Sequence, residues 1–169
     1  TYQEAEDPTP MTDRSAVLWQ KIRGLESVWA SKDSLYSRSE VPFPTEIEVC
    51  QLEGWRGETL NAQFLLYTGS GAEAVTCKVK DLKSQNATLS SDIVKAQFVR
   101  YTLADMASPN CRCYRDHEQP AILSPDLIDT LKVFSIGACS TRPVWVTVSI
   151  PQDAKPGIYE SEILVSYNG

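Results

Sequence analysis

The chain has one histidine, no Lys/Arg cluster and no apolar run near the ~18–20 residues that cross a bilayer as a helix. The missing run excludes a membrane-spanning helix. The missing basic patch argues against nucleic acid, whose phosphates must be neutralised, and equally against an anionic membrane surface. Instead 16 basic residues stand against 22 acidic ones, for a net charge of −6. A nucleophile elbow, a phosphate-cradling glycine loop and a dinucleotide fingerprint are also missing, which removes the enzyme classes those motifs serve. Cysteine is scarce and odd in number. The five (Cys50, Cys77, Cys111, Cys113 and Cys139) are too scattered for a disulfide framework. Cys50, Cys77 and Cys139 lie in strand-like or apolar contexts, where a free thiol behaves as a small buried hydrophobe. A bond from Cys113 to Cys111 or to Cys139 stays open. No signal-peptide pattern opens the chain. A start at Thr1 suits a protein whose export signal has been removed, and equally a tag-cleaved cytosolic one.

What is present is alternation. At 169 residues the chain is one domain, or one domain and an arm, long enough to bury a sizeable core. Val144, Val146, Val148 and Ile150 recur at period 2 and share one face of a strand. Tyr159, Ile163, Val165 and Tyr167 resume the pattern beyond Pro156-Gly157, whose residue types suit a type II corner. This reads as the closing hairpin of a β-sandwich, with the chain ending where a domain ends.

Three clean strands precede it. Leu60, Ala62, Phe64 and Leu66 point one way, against Asn61 and Gln63. Val75, Cys77 and Val79 point inward, against Thr76, Lys78 and Lys80, with Gly69-Ser70-Gly71 between the two runs as a hairpin-length turn. Lys95–Leu103 makes the third. Leu25, Ser27 and Trp29 predict an earlier strand, and Ile47, Val49 and Gln51 another, which ends at the turn signal Gly54-Trp55-Arg56-Gly57. Residues 1–13 are polar and proline-bearing and read as a flexible arm. Thr12 or Asp13 caps a short helix through about residue 22, with Val17, Leu18 and Ile22 as its apolar stripe. Residues 104–140 alternate poorly and read as one long irregular loop.

The predicted fold is therefore all-β: an immunoglobulin-like, antiparallel two-sheet β-sandwich over residues 25–169, with an N-terminal arm over residues 1–24. One detail bears on partners. Ala96 and Phe98 lie on one face of their strand while Val99, Tyr101 and Leu103 lie on the other, and Trp145 opposes the valines of its own strand. A sheet wetted on one side does not carry aromatics on both faces. The outer face is expected to be covered by the long loop or by another domain, which makes Val99, Tyr101 and Trp145 candidates for interdomain packing.

Chemistry-bearing residues are few. Cys111, Cys113 and His117 supply three potential zinc ligands, but a structural zinc site takes four and a longer cysteine spacer. An exposed loop is the preferred reading, with no metal and no cofactor. Glu46/Glu48, Asp126/Asp129 and Glu160/Glu162 are spaced to share faces, as a glycosidase pair requires, yet solvated surface carboxylates show the same spacing. Tryptophan suits sugar, because a flat indole stacks on a pyranose face. Trp55 at its turn, Arg56 beside it, and Trp29 are the candidates. The alternative has Trp55 folded back over the sandwich edge with Arg56 paired to Glu58. Asn86-Ala-Thr88 matches a glycosylation acceptor, relevant only in a eukaryotic secretory pathway.

Several segments, in order, carry a resemblance: Trp29-Ala-Ser-Lys-Asp with Tyr36, Trp55-Arg-Gly-Glu-Thr-Leu-Asn-Ala-Gln, Phe98-Val-Arg-Tyr, Pro125-Asp-Leu-Ile-Asp, Arg142-Pro-Val-Trp-Val-Thr-Val and Pro151-Gln-Asp-Ala-Lys-Pro-Gly-Ile-Tyr. From about Leu25 onward the chain resembles the N-terminal β-sandwich domain of glycoside hydrolase family 123 and its relatives in gut Bacteroides-type bacteria. The resemblance implies a sandwich followed by a (β/α)8 barrel. It also implies β-N-acetylgalactosaminidase activity that uses the substrate's own acetamido group, with the catalytic Asp-Glu pair on the barrel. No such pair carries over to a residue of this chain, which stops before a barrel could begin. The expectation is a non-catalytic accessory domain that holds and stabilises the C-terminal barrel of the same polypeptide. Export to the periplasm or cell surface is expected with it. The alternative is an independent carbohydrate-binding module that takes N-acetylgalactosamine-containing glycans through surface tryptophans.

Overall fold

The structure is a computed structural model and describes residues 4–8, 11–43, 49–104 and 121–168. Its strands are β1 (Leu25–Ala30), β2 (Thr59–Thr68), β3 (Ala72–Val79), β4 (Leu82–Lys83), β5 (Thr88–Leu89), β6 (Val94–Ala104), β7 (Ile122–Ile128), β8 (Phe134–Ile136), β9 (Ser140–Ser149) and β10 (Ile163–Asn168). One helix, α1 (Asp13–Trp19), precedes them. A five-stranded sheet of order β1-β2-β9-β6-β7 faces a three-stranded sheet of order β10-β3-β8, and β4 and β5 form a small ribbon. All pairings are antiparallel. The result is an all-β sandwich.

The alternating residues build the core as their period requires. Ala62, Phe64 and Leu66 of β2, Val75 of β3, Phe98 of β6 and Val144 and Val146 of β9 are buried together between the sheets. Leu25 and Trp29 of β1 and Val165 of β10 close its edges. Thr12 caps α1 by accepting from the Ser15 N–H, as its position predicts. The buried stripe of that helix is Ser15 and Trp19, however, while Val17 stays exposed.

Both expected hairpins are corners instead. β2 and β3 are consecutive in sequence but lie in different sheets, and so do β9 and β10. A three-residue link satisfies either geometry by length alone. Gly71 (φ 91°) turns the chain across the layers, and Gly69 admits the close approach of the Trp19 carbonyl, which would lie 2.6 Å from a Cβ there. At Pro156-Gly157 the glycine φ of 159° departs from the value near +80° of a type II corner.

The span read as one long loop holds two strands. β7 lies at the sheet edge, and its Pro125 stands opposite Tyr101 where the β6–β7 register slips by one residue. Proline is tolerated at an edge strand or a bulge, so it hides a strand without preventing one. β8 is too short for alternation to register. Residues 105–120, with Cys111, Cys113 and His117, lie outside the described residues, as do Glu46 and Ile47. The strand expected over residues 47–51 is not formed at Val49–Gln51, which is irregular backbone.

Candidate functional site

The turn after Gly54 is built to hold its shape. The Glu58 N–H donates to the Trp55 carbonyl at 3.1 Å, and the Glu58 carboxylate accepts from the Trp55 N–H at 2.7 Å. The Gly57 N–H donates to the Ile150 carbonyl, and the Ile150 N–H to the Glu58 carbonyl, each at 2.9 Å, which ties the turn to the end of β9. Gly57 has a φ of 81°, and a Cβ there would lie 2.1 Å from the Gln152 side-chain nitrogen. On this braced backbone the Trp55 side chain is 84% exposed. It does not fold back over the sandwich edge, and the Glu58 carboxylate caps the turn instead of pairing with Arg56. A solvent-facing indole carried on a braced turn is a surface on which a sugar ring can stack.

The other tryptophans are engaged elsewhere. Trp29 packs on the core and meets Phe64 edge-on, with ring centroids 5.3 Å apart. Its candidacy as a sugar platform gives way to this packing. Trp19 is buried and donates from Nε1 to the Ser39 carbonyl at 2.9 Å. Trp145 is half-buried on the outer face and donates to Asn61 Oδ1 at 3.2 Å.

That outer face is covered by the chain itself. Gln63 donates its amide to the Ser31 and Ser34 carbonyls, and the Tyr101 hydroxyl donates to the Tyr36 carbonyl at 2.9 Å. Val99 and Tyr101 are 5% and 0% exposed beneath this cover, so neither offers surface to a docked domain. Burial pushes the Tyr101 phenol well above its ordinary range, an effect the nearby Arg142 charge reduces without cancelling. The cover comes from residues 31–40 and the N-terminal segment, which sequence alone did not suggest. Residues 4–8, read as part of a flexible arm, are anchored: Glu4 makes a two-pronged ion pair with Arg142 at 2.6 Å on each prong. Beside this cover lies a groove of about 250 Å³, lined by Asp7, Tyr36, Ser39, Glu40, Ser124 and Pro125 among others.

Among the described residues, Asp126/Asp129 and Glu160/Glu162 are engaged in structural contacts or face solvent, and Glu46/Glu48 lies outside them. Asp129 binds the Arg100 guanidinium and accepts the Leu131 N–H. Burial pushes its carboxyl up, but these donors and the Arg100 charge outweigh that and hold it below the ordinary range. Asp126 is exposed. Glu162 pairs with Lys80 at the surface, which lowers its pKa. Cys139 is a free thiol that donates weakly to the Gly69 carbonyl. Cys50 and Cys77 are free as well, and burial pushes the Cys77 thiol up to about 11.

Fold and surfaces together define a class: a β-sandwich with a braced aromatic turn, whose spaced carboxylates, among the described residues, serve structure or face solvent. The family model for the glycoside hydrolase 123 N-terminal domain matches residues 29–167, and the chain belongs to that family. Among solved structures it is similar to a family 123 glycoside hydrolase from Clostridium perfringens, described for hydrolysis of glycolipid glycans, at 26% identity and a TM-score of 0.70. The similarity covers 86% of this chain but only 25% of that enzyme. No curated protein matches the sequence.

Proposed function

We propose that this sandwich is the non-catalytic N-terminal accessory domain of a secreted glycoside hydrolase, which packs against and stabilises a C-terminal catalytic barrel of the same polypeptide. The observation that carries the reading is the family match over residues 29–167, read with the 25% share of a related enzyme that the chain spans. On this reading the parent hydrolyses N-acetylgalactosamine-containing glycans, as the resemblance read from the sequence implies, with its reacting carboxylates on the barrel. Periplasmic or cell-surface placement belongs to the same proposal. Trp145, half-exposed on the outer face, remains the interdomain candidate of the three named from sequence. The test compares the full-length parent, the barrel alone and the sandwich alone on an aryl N-acetylgalactosaminide, with thermal melting in parallel. The sandwich alone should be inactive and the barrel alone should melt earlier than the parent. Turnover by the sandwich, or an unchanged barrel melt, would overturn the proposal.

The second reading, a carbohydrate-binding module, draws on the 84% exposure of Trp55 on its braced turn. It requires that the isolated sandwich bind N-acetylgalactosamine-containing glycans and that Trp55→Ala abolish the binding.

A further inference from the structure

β6 and β9 stay paired only as far as Phe98, opposite Val144. Beyond that point β6 leaves with β7, and a wedge opens in the middle of the five-stranded sheet. Backbone groups that a continuous ladder would satisfy are left there, and buried polar groups of this kind need partners. Two residues from the first quarter of the chain and the side chain of Arg142 supply them. The Thr141 N–H of β9 donates to the Arg38 carbonyl at 2.8 Å. The Tyr101 N–H of β6 donates to Glu4 Oε1 at 3.0 Å, and the Val99 carbonyl accepts from Arg142 Nη1 at 2.9 Å. The Glu4–Arg142 pair thus bridges β9 and β6 in place of ladder hydrogen bonds.

Arg142 is 2% exposed, its Nε has no hydrogen-bond partner among the described residues, and its guanidinium lies over the rings of Tyr101 and Phe134 at 5.0 and 4.6 Å. Removing one member of a buried pair leaves an uncompensated charge, the costly outcome. The segment is tied down at a second point, where Arg38 donates to the Ala5 carbonyl at 3.0 Å.

We propose that residues 4–8 form a detachable clasp: Glu4 is an intramolecular carboxylate ligand of Arg142, and its departure lets the distal part of the β6–β7 hairpin swing off β9. The groove beside the clasp has Ser124 and Pro125 of β7 on one wall and Tyr36 and Ser39 on another. Release of the clasp therefore widens that groove. The same carboxylate that completes the sheet sets the hairpin's position.

Amide hydrogen exchange on the full chain, wild type against Glu4→Ala, tests this. Local release predicts exchange faster by about tenfold or more at Tyr101 and along Leu123–Leu127, as expected when a buried charge loses its partner. Amides of the β2–β9 ladder, such as Ala62 and Phe64, should keep their rates. Protease cleavage within residues 4–12 should rise in parallel. Unchanged exchange at Tyr101 overturns the proposal, and so does uniform acceleration across both sheets, which would make Glu4 an ordinary stabilising residue. Should Glu4→Ala fail to accumulate, Glu4→Gln keeps the side-chain volume while removing the charge and is judged by the same amides.

Discussion

Asp129 shows how one side chain closes a corner. Its backbone N–H donates to the Phe98 carbonyl at 2.8 Å, its carbonyl accepts from Gln97, and its carboxylate holds Arg100 and the Leu131 N–H. Three residues of β6 and the turn at Leu131 are thereby held by one residue. Because its folded pKa lies below the unfolded value, its contribution is fully present above pH ~4 and fades as the pH falls through the folded pKa. Asp129→Asn should therefore lower stability at pH 7 by about 1 kcal/mol and narrow to little difference at the acid end. Urea melts of both proteins at pH 7 and pH 3 check the sign, and an equal gap at both pH values would contradict it. The acidic spacing that suggested Asp126 and Asp129 as a pair was legible in sequence. Their basic and backbone partners were not, since Arg100 lies 29 positions away.

At the scale of elements, legibility followed period. β2, β3, β6 and β9 are long enough, and buried enough on one face, for alternation to declare them. β7 is masked by Pro125 at its bulge, and β8 has three residues. Turn residues marked where the chain bends but not where it goes, because Gly69-Ser70-Gly71 serves a hairpin and a change of layer equally well. β3 carries a second irregularity that no pattern signals. Between Ala72 and Val75 its register against β8 slips, and Ala74 sits at a φ of 50°. A left-handed conformation costs an L-residue roughly 1–2 kcal/mol that glycine does not pay. Ala74→Gly should accordingly raise stability by about 1 kcal/mol once the extra freedom of the unfolded glycine is subtracted. Thermal melting that shows destabilisation instead would mean the Ala74 methyl matters to packing.

For the whole molecule, the two sheets share one core, so damage to it should be felt everywhere. Leu66 is 1% exposed in the cluster that joins them. Leu66→Ala should cost about 2–5 kcal/mol in a single transition seen alike by tryptophan fluorescence and far-UV circular dichroism. Two separated transitions would mean that the sheets melt independently. The family likeness was legible from ordered segments because they are the structural joints themselves: the Trp55 turn, the β6 segment opposite the β7 bulge, the Arg142 strand. The contact that ties the first residues to β9 spans 138 positions and depends on a split in the sheet. No local pattern carries it.

The position of β9 has a consequence for the chain's birth. The strand lies between β2 and β6 at the middle of its sheet, yet it is completed only at Ser149. During vectorial synthesis β1–β2 and β6–β7 therefore emerge as two separate ribbons, each with an open flank, and wait for the strand that will join them. Such flanks pair readily with strangers. A nascent chain whose β9 has not yet emerged from the ribosome would be sticky and protease-sensitive, and emergence of the strand through Ser149 would let the sheet zip shut from both sides at once.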